Sequence, residues 1–251
     1  LKGVKYFGVS YYAFFLEICA GTAVLTRAVR IAGLSSLAPV AILTGTDLAT
    51  ERGYRAMLQL ISLKRPFHTH FAPSCRIFSQ AYHPSRGPDA QMESDYQNDL
   101  RLAINVAKLA MHVYKQRLFF CIENPIRSRI YLLQVYKQLR LQAGVFFVDL
   151  NACMLGRVHQ HGLPMWKGYR MMTNGPYMMG MGILCNRLHN HGQLVGKATT
   201  HSAEYDWKFC KLYSKLLRLG PQMMKTIRDV YKDQLRPMLS ISKLSDLRTT
   251  V

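Results

Sequence analysis

The sequence predicts an α/β protein organised around a parallel sheet. Short apolar runs alternate with helix-period segments through the first two-thirds of the chain. Hydrophobic residues make up 49%, enough for a sizeable core. No internal repeat or low-complexity tract interrupts the pattern.

The elements follow in order. Residues 12–18 read as a buried strand, and residues 22–32 as a helix ended by Gly33. Residues 39–43 read as a second strand. Residues 50–63 have helical spacing through Tyr54, Met57, Leu58 and Ile61, and residues 67–72 form a strand stopped by Pro73. Residues 80–93, with Pro84, Gly87 and Pro88, read as a loop. Ser94 and Gln97 have capping-box spacing and open a helix whose apolar stripe includes Leu100, Ala103, Ala107 and Met111. The all-apolar strand 118–122 runs into Glu123-Asn124-Pro125. An amphipathic helix at 127–141 and a strand at 145–148 come next. Beyond about residue 150 the composition shifts toward Met, Gly, His and Tyr, which predicts a smaller subregion packed on the sheet. Helices are expected at 203–218 and 222–235, with a loose tail over 240–251. The expected division is a core at 1–150, a Cys/His/Met-rich subregion at 151–220, and a C-terminal helix and tail at 221–251.

Charge narrows the function. Lys and Arg number 33 against 14 Asp and Glu, a net +19. Such an excess favours a polyanionic partner, because each phosphate neutralised releases counterions. The longest apolar run, residues 11–20, carries Glu17 and is far shorter than the ~20 residues a membrane-spanning helix needs. It also lacks the flanks of a signal peptide. Six scattered cysteines read as reduced thiols, so an intracellular protein is expected. The start at Leu1 reads as a fragment of a longer polypeptide.

Three segments carry chemistry. In Glu17-Ile18-Cys19-Ala20-Gly21-Thr22 a strand ends in small residues before a helix, where backbone N–H groups can meet a ligand. In Pro73-Ser74-Cys75-Arg76-Ile77-Phe78-Ser79 a cysteine follows a strand, at the sheet edge where α/β sites form. Arg76 is expected to depress its pKa. Glu123-Asn124-Pro125 places a carboxyl at the end of a buried strand, where burial raises its pKa and suits proton donation. Taken singly, each also reads as ordinary structure: a strand–helix turn, a packed thiol, a helix cap.

In series, these segments resemble the cytosine-C5 DNA methyltransferases. Glu17 to Gly21 is similar to that family's acidic residue and cofactor loop, Pro73 with Cys75 to Ser79 to its Pro-Cys motif, and Glu123-Asn124 to its Glu-Asn-Val motif. A set of retrotransposon-associated methyltransferase-like proteins is more similar still, with Asp47-Leu48-Ala49 at its Asp-Leu-Thr segment and Glu-Asn-Pro at the third motif. Ser74 and Arg76 depart from the family pattern, and the second strand carries no clear acidic residue for a ribose. The resemblance, over residues 12–210, implies a Rossmann-like fold that binds S-adenosylmethionine (SAM). The implied cofactor residues are Glu17, Cys19, Ala20, Gly21, Thr22, Asp47 and Pro73. Cys75 and Glu123 are the implied catalytic pair, acting on a flipped-out cytosine. Arg76, Arg86, Lys167 and Arg170 are the expected contacts to nucleic acid, DNA first and RNA as the alternative. A non-catalytic nucleic-acid-binding module on the same fold is the rival. The nucleus, or wherever the DNA resides, is the expected location.

A last cluster stands apart. Cys185, His189 and His191 have metal-ligand chemistry, with Cys153 or Cys210 as a fourth ligand to a structural zinc. Hydrogen-bonded surface histidines are the alternative. The Met-rich stretch from Met165 to Met181 reads as adaptable packing.

Overall fold

A computed structural model of the chain describes residues 4–6, 9–11, 13–79, 90–159, 162–192 and 204–245. A two-stranded antiparallel hairpin, β1 (Val4–Tyr6) and β2 (Val9–Tyr11), precedes a five-stranded sheet. The sheet strands are β3 (Ala13–Ile18), β4 (Pro66–Phe71), β5 (Phe119–Pro125), β6 (Phe146–Asn151) and β7 (Gly168–Thr173), in the spatial order β3-β4-β5-β7-β6. β3, β4 and β5 are parallel, and β7 runs antiparallel between β5 and β6. Four strands therefore point one way and one the other, a Rossmann-like α/β sheet.

Helices cover both faces. α1 (Val24–Ile31) packs with the long C-terminal helix α5 (Trp207–Ser245) on one face. α2 (Glu51–Lys64), α3 (Ala90–Lys115) and α4 (Gln134–Arg140) lie on the other. Alternation along the strands sorts the residues: Leu16, Ile18, Phe120 and Ile122 enter the α2–α4 core, while Phe15, Cys121, Tyr169 and Met171 enter the α1/α5 core. The Thr50 hydroxyl caps α2 by accepting from Gly53 N at 3.1 Å, with Glu51 in the first turn and Lys64 in the last.

Several boundaries differ from expectation. Residues 39–43 form no strand. Only single parallel bridges, Phe15 to Ser36 and Ile18 to Val40, extend the sheet past β3, and Ile42–Thr44 is a 3-10 turn. α3 begins at Ala90, ahead of the Ser94 capping box, and the Glu93 side chain accepts from Gln97 within the helix. The 127–141 helix splits into a 3-10 turn at Arg129–Leu132 and the short α4. The stretch after residue 150 is not merely packed on the core, because it contributes β7 to the sheet itself. α5 continues through Gly220-Pro221 and on to Ser245. Gly220 is there for close approach: a Cβ would lie 3.0 Å from the Tyr177 ring and 3.2 Å from Phe67. Residues 246–251 of the expected tail lie outside the described residues.

Candidate active site

All three motifs end at the carboxyl edge of parallel strands, where this class of sheet opens to ligands. The first turn is strained. Cys19 (φ 61), Gly21 (φ 52) and Ala23 (φ 55) are all left-handed, which costs the two non-glycine residues about 1 kcal/mol or more each. Val40 secures the turn from the side, donating its N–H to Glu17 O and accepting from Ala20 N at 2.9 and 3.0 Å. Beside the turn is a largely apolar cavity of about 290 Å³, lined by Cys19, Gly21, Leu43, Asp47, Ser74 and Asp99 among others. A Cβ on Gly21 would meet nothing within 4 Å, so the turn faces open space. Hollows of about 380 and 510 Å³ lie between α2 and α3, the larger one next to the start of α2 and the stretch of α3 that border this cavity.

Cys19, Gly21 and Asp47 thus line the cavity, whereas Glu17, Ala20, Thr22 and Pro73 do not. Glu17 is a structural correction. It is 1% exposed, and its Oε2 accepts from the backbone N (2.7 Å) and the hydroxyl of Thr26 in α1. Burial raises its pKa to about 7, with the Thr26 bonds opposing. Its carboxyl fastens α1 to β3 rather than facing a cofactor.

Cys75 and Glu123 lie at the ends of the neighbouring parallel strands β4 and β5, Cys75 just past the end of its strand and Glu123 within the last residues of its own. Asn124 Nδ2 donates to Pro73 O at 2.9 Å, lacing the β5 end to the loop that carries Cys75. The half-buried Cys75 thiol is pushed up by burial and by the Glu123 carboxylate, while Lys167 pulls it back down. Glu123 is buried, which raises its pKa, and Lys167 and Tyr205 oppose the shift. Burial lowers the Lys167 pKa, against Glu123 and Cys75. Thiol, carboxyl and ammonium thus act on one another electrostatically. The cation that lowers the thiol is Lys167, while Arg76 pairs with Asp95 and Asp99. Asn124 Oδ1, buried beside them, has no hydrogen-bond partner among the described residues.

The expected phosphate clamps are mostly engaged elsewhere. Arg76 reaches back to α3 and bonds Asp99 at 2.9 Å and Asp95 at 3.0 Å. Arg170 makes a two-pronged bridge to Asp149 at 2.8 and 2.7 Å across β7 and β6. A phosphate would meet guanidinium groups whose charge these carboxylates already offset. Arg86 lies outside the described residues.

Behind Glu123 runs a hydrogen-bonded chain that the sequence reading did not foresee. Tyr177 OH meets His68 Nδ1 at 2.7 Å, and His68 Nε2 meets Tyr213 OH at 2.7 Å. Tyr213 OH meets His70 Nδ1 at 2.9 Å, and His70 Nε2 meets Tyr205 OH at 3.0 Å. Tyr205 OH donates to Glu123 Oε2 at 2.7 Å. Burial lowers both histidine pKa values, His70 to about 3, so both rings are neutral. A neutral imidazole donates once and accepts once. With Tyr205 donating to the carboxyl, each hydroxyl and ring in turn donates toward Glu123, and both histidines carry the proton on Nε2. Tyr177 is only 2% exposed, so the chain ends in the core and not in solvent. Its last bond, from Tyr205, holds the Glu123 carboxyl. The signal for it was present: His68 and His70 share one face of a strand whose six residues are all buried.

The Cys/His cluster also assembles. The ligand atoms of Cys153, Cys185, His189 and His191 lie within 4.8 Å of one another. Cys153 is the fourth member, while Cys210 is buried in the α1/α5 core. Among the described residues no helix is long and apolar enough to cross a membrane.

Sheet order and strand direction together define a Rossmann-like α/β domain. No protein-family model matches the chain, and no curated protein matches it. Among solved structures the chain is similar to a mutant of Spodoptera frugiperda DNMT2, at 15% identity and a TM-score of 0.38, over 64% of this chain and 49% of that one. The chain thus spans about half the length of that structure, and a likeness this slight bears on neither fold nor chemistry.

Proposed function

We propose that the protein transfers a methyl group from SAM to C5 of cytosine in nucleic acid, DNA in the first instance, through a Cys75 adduct. The observation that carries this reading is the Asn124–Pro73 hydrogen bond that laces the Cys75 loop to the Glu123 strand end, beside a cavity floored by a strained glycine turn. That cavity fits the cofactor chemically. It offers apolar walls for a purine, two carboxylates (Asp47 and Asp99) for hydroxyl or ammonium groups, and open space over Gly21. SAM, when bound, supplies the methyl group.

The chain's own groups account for the protons. Like charges side by side resist double ionisation, so Cys75 and Glu123 hold one proton between them, with Lys167 balancing the single negative charge. When the proton sits on Glu123, Cys75 is a thiolate and adds to C6. Tyr205 occupies Oε2, which leaves Oε1 to donate that proton to N3 of the base. Electron density released to C5 takes the methyl group. The C5 proton then passes to solvent, the sulfur–C6 bond breaks, and N3 returns its proton to Glu123. One proton is released per turnover.

A target base within a duplex must leave the stack to reach a thiol this deep. The +19 charge supplies affinity for the backbone. A reduced Cys75 thiol and a DNA substrate would suit an intracellular location, the nucleus or wherever that DNA resides. One observation favours a second reading, a binding module that has lost catalysis: the Cys75 pKa is on balance raised, which holds the thiol neutral.

The test is transfer of labelled methyl from SAM to DNA and to RNA, with trapping on a 5-fluorocytosine oligonucleotide. Wild type should label and trap. Cys75→Ala should do neither, a loss of at least ~10³-fold, yet bind DNA with undiminished salt dependence. Salt-sensitive binding without SAM binding or trapping would establish the second reading, and labelling of RNA alone would move the substrate class.

A further inference from the structure

The four-residue Cys/His cluster has the dimensions of a closed tetrahedral site. Around zinc, sulfur at about 2.3 Å and nitrogen at about 2.0–2.1 Å give an S···N edge of about 3.5 Å. Cys185 Sγ lies 3.4 Å from His191 Nε2 and 3.6 Å from His189 Nε2. Cys153 adds the second sulfur and interacts directly with Cys185. Two thiolates and two neutral imidazoles balance a divalent cation and suit zinc's preference for sulfur and nitrogen. Four protein ligands leave no open position, which is the pattern of a structural and not a catalytic metal.

The surroundings match. Arg187 N donates to Cys185 Sγ at 3.2 Å from a left-handed residue (φ 62), a bond that supports a metal thiolate. Asn151 Oδ1 accepts from Cys185 N at 2.8 Å and holds the loop on the end of β6. The Trp166 ring packs edge-on against His191 at 4.6 Å, and Met165 pairs with Gly192. One residue beyond Trp166 is Lys167, whose carbonyl accepts from Ala152 N at 2.8 Å, next to Cys153. The cluster therefore brackets Lys167 from both sides.

We propose that Cys153, Cys185, His189 and His191 bind one structural zinc ion, which fixes residues 183–192 to the sheet and holds the Trp166–Lys167 segment at the Cys75–Glu123 site. The metal assignment stands on its own geometry, while its link to the reaction rests on the function proposed above.

The experiment measures zinc in the full-length chain by elemental analysis and native mass spectrometry, with Co²⁺ replacement read by absorption. Wild type should carry one equivalent, and its cobalt form should show thiolate-to-metal charge transfer with tetrahedral band intensity. Cys153→Ser and Cys185→Ala should lose the metal, and Cys210→Ala should keep it. Chelation should speed amide exchange at Trp166–Gly168, a readout that needs no methyl transfer. A metal-free wild type, zinc retained in Cys153→Ser, or a Cys153–Cys185 disulfide would overturn the site. Unchanged exchange on chelation would overturn the positioning role and leave the methyl-transfer reading intact.

Discussion

The two faces of the sheet bury polar side chains in different ways. On the α2–α4 face tyrosine hydroxyls end on backbone: Tyr131 donates to Arg170 O at 2.7 Å and Tyr136 to Ala103 O at 3.1 Å. Each is a local repair inside a hydrocarbon core. On the α1/α5 face a run of aromatic and imidazole side chains ends on one another, through five consecutive hydrogen bonds from Tyr177 to Glu123. The first face is ordinary packing. The second couples the position of α5 to the orientation of one carboxyl, and such a network is stable only when every member is satisfied.

The comparison predicts different sensitivities. Phe120→Ala, in the α2–α4 core, should cost about 3–5 kcal/mol from lost burial and a residual cavity, whatever the pH. Tyr213→Phe removes a single oxygen from a fully buried ring in the other core. It strands both His68 Nε2–H and His70 Nδ1, so it should cost roughly 2–4 kcal/mol. Urea unfolding measures both. A Tyr213→Phe cost under about 0.5 kcal/mol would show that the chain is not a network.

The pH dependence of stability should come from the α1/α5 face. The folded-state pKa values of His68 and His70 lie below the ordinary 6.5, His70 near 3. Their stabilisation is complete above 6.5 and is lost as pH falls, because the unfolded chain takes up protons that the folded one refuses. Glu17 acts in the opposite sense: its folded pKa of about 7 exceeds the ordinary 4.5, so its stabilisation is complete below 4.5 and lost by about pH 7, on the order of 3 kcal/mol. Two lowered histidines are set against two raised carboxyls, Glu17 and Glu123, so unfolding free energy should rise most steeply from pH 3 to about 4.5 and more gently to about 6.5. Glu17→Gln should steepen the rise between 4.5 and 6.5. A curve that the variant leaves unchanged would count against a buried, titrating Glu17.

Much of the carboxyl edge was legible in the sequence. Apolar runs ending in Cys-Ala-Gly, Pro-Ser-Cys and Glu-Asn-Pro predict three strands with chemistry at their ends, and the structure has β3, β4 and β5 there. What stayed hidden depends on contacts between distant segments. β7 reads as Met-rich filler because a strand covered on both faces has no polar alternation to show. Lys167 lies 92 positions from Cys75 in the chain, and only the β5–β7 pairing brings it close. Arg76 looks like a thiol partner by adjacency, but its long side chain finds Asp95 and Asp99 on α3 instead. Tyr205 and Tyr213 carry no motif and acquire a role only when α5 lands on β4.

The smallest expected effect is the most specific. Tyr205 is half-buried and gives Glu123 one hydrogen bond, so Tyr205→Phe should destabilise the fold by only about 1 kcal/mol. Its chemical effect is directional. The Tyr205 hydroxyl favours the ionised carboxyl, and removing it raises the Glu123 pKa further. In the proposed mechanism the active enzyme carries one proton between Cys75 and Glu123, and a second proton inactivates it. The acid limb of kcat/KM against pH should therefore move up by roughly one pH unit, with a plateau about tenfold lower because Oε1 is no longer aimed. Tyr177→Phe, at the far end of the chain, should leave that limb where it is, since it removes a donor from His68 and touches neither His70 nor Glu123. A merely structural Tyr205 would lower the plateau without moving the limb. Equal shifts in both variants would mean that the five bonds act as one unit, and that the polar face is set by packing against α5 as a whole rather than by the hydroxyl on Glu123.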